Sequence, residues 1–206
     1  MRMRKLHLQL SRKRYGMSKY NAHDNDRYLL ENNLLEIRSL DELKEAEAFV
    51  FSLRAAEIDP DEKMNGFTEA HFKQLHYHLF KDIYAFAGKY RNVQLTKGNT
   101  RFCQAQFIRE YAKQLFTELM NEPVWDSLEV AAARLAYFKS ELNMLHPFRE
   151  GNGRTIRIFL RAYALSKGID WKFEQMNRDV YIDAMISSVT NIEALTLVML
   201  RTIAYK

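Results

Sequence analysis

In the stretch HPFREGNGRTIR, residues 146–157, an imidazole, an acid, two glycines bracketing an asparagine and a pair of arginines fall within about three helical turns of chain. Each suits chemistry on a phosphate. His146 carries the only side chain here whose ordinary pKa, about 6.5, lets it take a proton at cellular pH. Glu150 stands where a hard cation bridging phosphates would be held, since magnesium typically binds through one or two carboxylates together with phosphate oxygens. Gly151 and Gly153 admit backbone angles closed to other residues and let a ligand approach the main chain. A helix beginning near Asn152 would aim its unpaired N–H groups and the positive end of its dipole at whatever fills the preceding loop. Arg154 and Arg157 lie three apart, so they share a helix face and can both fork onto phosphate oxygens. Singly these are a helix-capping histidine, a solvated acid and an exposed arginine face. Together they make a base, a cation ligand and a phosphate cradle.

Helices must position that loop from both sides. The most regular pattern in the chain, Leu128, Ala131, Leu135, Phe138, Leu142 and Leu145, repeats at three and four residues after a capping box read at Asp126 and Glu129, and its last turn delivers His146. Beyond the loop, Ile156, Phe159, Leu160 and Tyr163 mark the buried face of a second helix that Gly168 caps. Upstream, Ser39 and Glu42 cap a helix over residues 40–56 with Leu43, Ala46, Val50 and Leu53 inward. Thr68 starts another, with Phe72, Leu75, Leu79 and Ile83 buried, running to Gly88. His71, His76 and His78 fall on it, but no acid stands among them at ligand spacing, which argues against a metal site there. Residues 90–103 change to a period of two around a turn at Lys97, Gly98 and Asn99, a short hairpin. A third helix follows over residues 104–120, and two closing helices are expected at 180–185 and 192–203.

Composition excludes several classes. At 206 residues and 47% hydrophobic content the chain can bury an ordinary globular core, and no apolar run approaches a membrane span. The single cysteine, Cys103, rules out an internal disulfide and fits a reducing compartment; with no secretion signal, a cytoplasmic location is expected. Cys103 has no second histidine or carboxylate placed to make a triad, and reads as a packed small residue. Net charge is +5, and Arg2, Arg4, Lys5, Arg12, Lys13, Arg14 and Lys19 precede any acid, so residues 1–20 form a basic arm and residues 21–206 the domain. Without zinc spacing or an RNA-binding signature, nucleic acid is not the expected partner.

The stretch 146–157 resembles, at every defined position, the signature of Fic-domain proteins, His-Pro-Phe-x-Asp/Glu-Gly-Asn-Gly-Arg-x-x-Arg. The resemblance implies an all-α fold, a helical bundle with a short β-hairpin flap over the active site. It also implies an enzyme that moves AMP from ATP to a Ser, Thr or Tyr hydroxyl of another protein, with Mg²⁺ as cofactor. Carried onto this sequence, His146 takes the hydroxyl proton and Arg154 joins it as a catalytic residue, Glu150 holds Mg²⁺, and Gly151 is one of the nucleotide-binding residues, with Asn152 and Gly153 on the α- and β-phosphates, Arg154 on the β-phosphate region and Arg157 on the γ-phosphate, while Phe148 anchors the loop. Tyr181 falls where relatives line the adenine pocket, though a plain core or surface tyrosine reads equally well. Thr96, Lys97, Gly98, Asn99, Thr100, Arg101 and Phe102 match the flap that docks the target segment by strand addition.

A related branch, the Doc toxins, has lysine where Gly153 stands and phosphorylates its target; another transfers phosphocholine, which the motif alone leaves open. Fic proteins are commonly restrained by a helix bearing Ser/Thr-x-x-x-Glu-Gly/Asn. Outside the signature, Glu is followed by Gly or Asn only at Glu31-Asn32, and Arg27 occupies the Ser/Thr position. The chain therefore resembles the toxin class whose inhibitory helix sits on a separate antitoxin, and whose expected targets are type II topoisomerase subunits.

Overall fold

The protein is known from a computed structural model that describes residues 22–58, 66–97 and 100–206. The basic arm of residues 1–20, the turn residues Gly98 and Asn99, and the connector around Pro60 lie outside the described residues. Eight α-helices and two small antiparallel sheets make up the described part: α1 (Ala22–Glu31), α2 (Leu40–Ala56), α3 (Glu69–Phe80), β1 (Thr96–Lys97), β2 (Thr100–Arg101), α4 (Ile108–Met120), α5 (Leu128–Leu145), α6 (Asn152–Ser166), β3 (Ile169–Trp171), α7 (Arg178–Ser187), α8 (Glu193–Leu200) and β4 (Ile203–Tyr205). The expected all-α architecture with a hairpin is what folds.

Helix α5 is the axis. It packs most extensively on α8 and α6, and Leu135, Phe138, Leu142 and Leu145 are fully buried along it. Phe159 of α6 meets Phe72 of α3 at 5.1 Å and Phe116 of α4 at 5.8 Å, both edge-on, so one aromatic knot ties three helices beneath the 146–151 loop. Each such buried phenylalanine is worth roughly 1.5–3 kcal/mol in area removed from water. Local signals start the helices as expected at Ser39 and Thr68, whose hydroxyls accept from Glu42 and His71 main-chain N–H groups. At α5 the cap is Ser127, accepting from Val130 N–H at 3.2 Å, and not Asp126.

Four expectations are corrected by tertiary contacts. Helix α3 stops at Phe80, well short of Gly88, because the next residues turn back: Ile83 O accepts from Leu34 N–H at 2.8 Å, and Gly88 N–H donates to His76 Nδ1 at 2.9 Å. The inward face of α2 turns on Leu43 and Glu47, while Leu53 is 53% exposed. The 90–103 hairpin is paired only at Thr96–Lys97 with Thr100–Arg101, since upstream the buried side chains of Arg91 and Gln94, not a strand ladder, satisfy the main-chain carbonyls. The last expected helix ends at Leu200 and continues as β4, which pairs with β3; Trp171 of β3 donates to Thr202 Oγ1 at 3.2 Å.

Candidate active site

His146 caps α5 in the left-handed region, φ 41 and ψ 59, a conformation that costs a non-glycine residue about 1–3 kcal/mol unless its surroundings impose it. Arg91 imposes it. Its Nε donates to His146 O at 2.7 Å, its Nη2 to Cys103 O at 2.6 Å, its Nη1 to Val93 O, and its own N–H to Pro147 O at 2.8 Å. The His146 Nδ1 lies 3.3 Å from Asn143 O; a carbonyl only accepts, so Nδ1 carries the proton and Nε2 is left as the basic nitrogen. The Phe102 ring stacks flat on the imidazole at 3.7 Å, which makes the side chain of this flap residue a buried backing for the base. Burial, then the Arg91 charge, pushes the imidazole pKa down to about 3, so it is neutral at cellular pH.

The loop is built from inside. Phe148 is fully buried and stacks on His76 at 3.7 Å, and both Phe148 main-chain groups are held by the Asn152 side chain: Phe148 N–H donates to Oδ1 at 2.9 Å, and Nδ2 donates to Phe148 O at 2.8 Å. The Asn152 amide is thus spent on the loop, and what it can offer an anion is its main-chain N–H at the start of α6. His76 accepts from Gly88 N–H on Nδ1, so its Nε2 carries the proton and donates to Glu150 O at 2.9 Å. Burial holds that ring neutral with a pKa lowered to about 4. Of the histidines on α3, this inward one is a support for the loop, and nothing in the spacing set it apart from His71 or His78.

The two glycines differ. Gly151 has φ 76, and a Cβ there would lie 2.4 Å from the Phe80 ring. Gly151→Ala is therefore expected to cost about 3 kcal/mol or more in urea unfolding, from backbone strain plus overpacking; a loss under about 1 kcal/mol would mean the loop is not held as described. Gly153, against expectation, needs no unusual angle: it is helical, and a Cβ there would meet nothing within 4 Å. Its smallness leaves open space beside the first turn of α6.

An acid absent from the sequence reading completes the site. Glu47 of α2 binds Arg154 Nη2 through one carboxylate oxygen and accepts from Tyr84 OH with the other. Arg154 also lies 3.5 Å from Glu150 Oε1 and rests over the rings of Phe51 and Phe80 at 5.0 and 4.9 Å. Glu150 Oε1 accepts from Gly151 N–H at 2.8 Å, and burial followed by the Glu47 charge raises its pKa. The expected pair of free arginines is thus split: Arg154 is engaged by Glu47, whereas no carboxylate pairs with Arg157 among the described residues. Glu47's only signal was its place one turn after Leu43 on the inward stripe.

Glu150 fits a cation held jointly with phosphate: it is a hard oxygen donor, partly open at 39% exposure, whose charge is uncomfortable without a countercharge. Lys97 of β1 lies near enough to act on both His146 and Glu150. Tyr181 of α7 is half-buried and close enough to Arg157 that the guanidinium pulls against the rise burial gives its hydroxyl pKa, to about 12. Cys103 is buried, its thiol pushed up to about 11, which suits packing and not nucleophilic attack.

In this helical bundle a neutral imidazole ends one helix, and the next begins after a left-handed turn at Gly151 with open space at Gly153. A profile of the Fic/DOC family matches residues 66–164. The probable protein adenylyltransferase y4lH of Sinorhizobium fredii is 36% identical over 159 residues, 76% of this chain and 81% of its own. The probable protein adenylyltransferase Fic of Escherichia coli is 32% identical over 154 residues, 74% of this chain and 76% of its own. Among solved structures, Bartonella tribocorum BepC with bound AMPPNP shares the fold with a TM-score of 0.75 at 20% identity, over 94% of this chain and 96% of that one. The chain belongs to the Fic/DOC family.

Proposed function

We propose that this chain is a protein adenylyltransferase, transferring AMP from ATP to a Ser, Thr or Tyr hydroxyl of another protein. The observation that carries the reading is the contact of His146 Nδ1 with Asn143 O at 3.3 Å, which by the chemistry of a carbonyl acceptor leaves Nε2 as proton acceptor beside the loop that opens α6. In that role Nε2 takes the proton of the target hydroxyl as its oxygen attacks the α-phosphorus, the bond from that phosphorus to the bridging oxygen breaks, and pyrophosphate leaves. The main-chain N–H groups of Asn152 and Gly153 hold the α- and β-phosphates, Arg154 the β-phosphate region and Arg157 the γ-phosphate; Tyr181 borders the adenine. Glu150 would hold Mg²⁺, which when bound neutralises phosphate charge. The names of the relatives and the nucleotide in BepC support this assignment. Gly153 favours AMP transfer over the phosphoryl transfer of the Doc branch.

Target docking is assigned to the flap, with Thr96, Lys97, Thr100 and Arg101 the described residues available to a strand; Gly98 and Asn99 join them by sequence. Control is assigned to a separate antitoxin whose helix, of Ser/Thr-x-x-x-Glu type, sets its glutamate on Arg157. That guanidinium's lack of a carboxylate partner among the described residues favours the arrangement. A cytoplasmic toxin acting on a type II topoisomerase subunit is the corresponding biological role. Among the described residues no helix is long and apolar enough to cross a membrane.

Mass spectrometry of a bacterial lysate incubated with the protein, ATP and Mg²⁺ tests the reading. A hydroxyl residue gaining an AMP group is expected, with addition of an antitoxin helix or Arg157→Ala suppressing it. A phosphoryl or phosphocholine adduct instead selects the alternative transferase, and ATP binding without any adduct selects a nucleotide-sensing or nucleic-acid-binding module.

A further inference from the structure

Lys139 is the buried charge that the mechanism above does not use. It sits on α5 with 1% of its surface exposed, among the ten inward residues of that helix. A lysine with its ammonium out of water is expected to have a carboxylate beside it, because an unpaired buried charge is costly. Among the described residues none is felt, and the charged group acting on it is another cation, Arg157.

The chain explains the juxtaposition. Lys139 precedes His146 by two helical turns, which returns it to about the same face of α5. The short 146–151 loop then folds α6 back against α5, and Arg157, within two turns of the loop on α6, is near enough for its charge to act on Lys139, two turns before the loop on α5. Tyr181 of α7 closes the third side, its ring centroid 5.9 Å from the Lys139 ammonium. The Lys139 charge also reaches His146. Three elements therefore bring a buried ammonium to two residues already nominated for the nucleotide and to the base, and the positive charge there has no protein counterion among the described residues.

We propose that Lys139 and Arg157 form a two-cation subsite that takes the terminal phosphate of ATP, with Lys139 a nucleotide-binding residue in its own right. The proposal rests on the ATP reading above. It gives the buried lysine a purpose: instability of the empty site is relieved when the anion arrives. Burial, then Arg157, lowers the Lys139 pKa to about 7, so near neutrality the ammonium is only partly charged, and anion binding draws in a proton. The groups facing it are Arg157 from α6, Tyr181 from α7 and the neutral His146 from its own helix.

Lys139→Met, nearly isosteric and uncharged, tests the assignment by calorimetric binding of ATP, ADP and adenosine, beside thermal melting of the unliganded protein. Expected are a loss of about tenfold or more for ATP, a smaller loss for ADP and none for adenosine, together with a melting temperature at or above that of the wild type, since a buried unpaired charge has gone. Lys139→Arg should recover part of the ATP affinity and lose the decline of affinity between pH 6.5 and 8.5 expected of the wild type. An equal loss for all three ligands with a lowered melting temperature, or unchanged ATP affinity, overturns the subsite. If the wild type itself binds no ATP, the nucleotide reading falls first, and the two failures are told apart.

Discussion

Replacing His146 with alanine lowers AMP transfer by about a thousandfold, while the protein stays folded and still binds ATP. The size follows from the role. Nε2 is the basic atom of the ring because Nδ1 is tied to Asn143 O, and removing a positioned general base is worth about 10²–10⁴ in rate. The fold survives because the ring makes one long hydrogen bond and one stack, with Phe102, whereas the left-handed backbone is held by Arg91 through main-chain atoms that alanine keeps.

The pH profile carries a second signature. With the free imidazole near pKa 3, kcat/KM should be flat on the acid side from neutrality to about pH 4 as far as this base is concerned, and fall only below. Bound triphosphate is negative and raises the value, so the acid limb of kcat should lie at higher pH than that of kcat/KM. Stability moves by the same linkage. The folded pKa lies below the unfolded value of about 6.5, so the contribution of His146 is complete above pH 6.5 and is lost as pH falls towards 3. Wild type should lose stability across that window more steeply than His146→Ala, as urea titrations at several pH values would reveal.

Arg91→Ala costs about 3–5 kcal/mol of stability and, in the protein that remains folded, about a hundredfold in kcat/KM. The guanidinium is 4% exposed and has carbonyls, not an acid, as its partners: His146, Val93 and Cys103. Truncation leaves these buried acceptors without a donor and opens a cavity. It also frees His146 to relax from φ 41, moving the base, and a displacement of about an ångström is enough for the kinetic loss. Arg91→Lys keeps the charge but replaces a planar fork with a compact ammonium that cannot span three carbonyls in the same geometry, so it should fall between the two. Denaturation and steady-state kinetics on the same preparations decide it. A variant that is destabilised yet turns over normally would show that Arg91 only packs the fold.

Why these two residues differ in legibility is physical. His146 stands in a motif where residue type and spacing meet, and the helix leading to it repeats so regularly that Leu128–Leu145 reads directly from sequence. Arg91 and Glu47 act across long separations of chain on main-chain carbonyls and on a single guanidinium, and no local period records that. Arg91 was in view only as one position of an alternating stretch; its burial, and that of Gln94, is what shortened the expected hairpin to Thr96–Lys97 and Thr100–Arg101. Phe102 shows the same limit in the flap, where the resemblance gave it a place in the docking segment but no sign of the stack with the imidazole that turns its ring inward. Gly153 was read both for freedom of backbone angle and for letting a ligand approach the main chain; its helical backbone removes the first, and the open space beside it agrees with the second. Sheet β3–β4 escaped because three-residue strands carry too little pattern to be seen.

One measurement bears most directly on the central claim. The protein is incubated with a target-containing lysate, Mg²⁺ and ATP labelled at either the α- or the γ-phosphate. Label on protein from the α position alone, lost in His146→Ala, is the predicted result. Label from the γ position alone, or α-label that persists without His146, would contradict it.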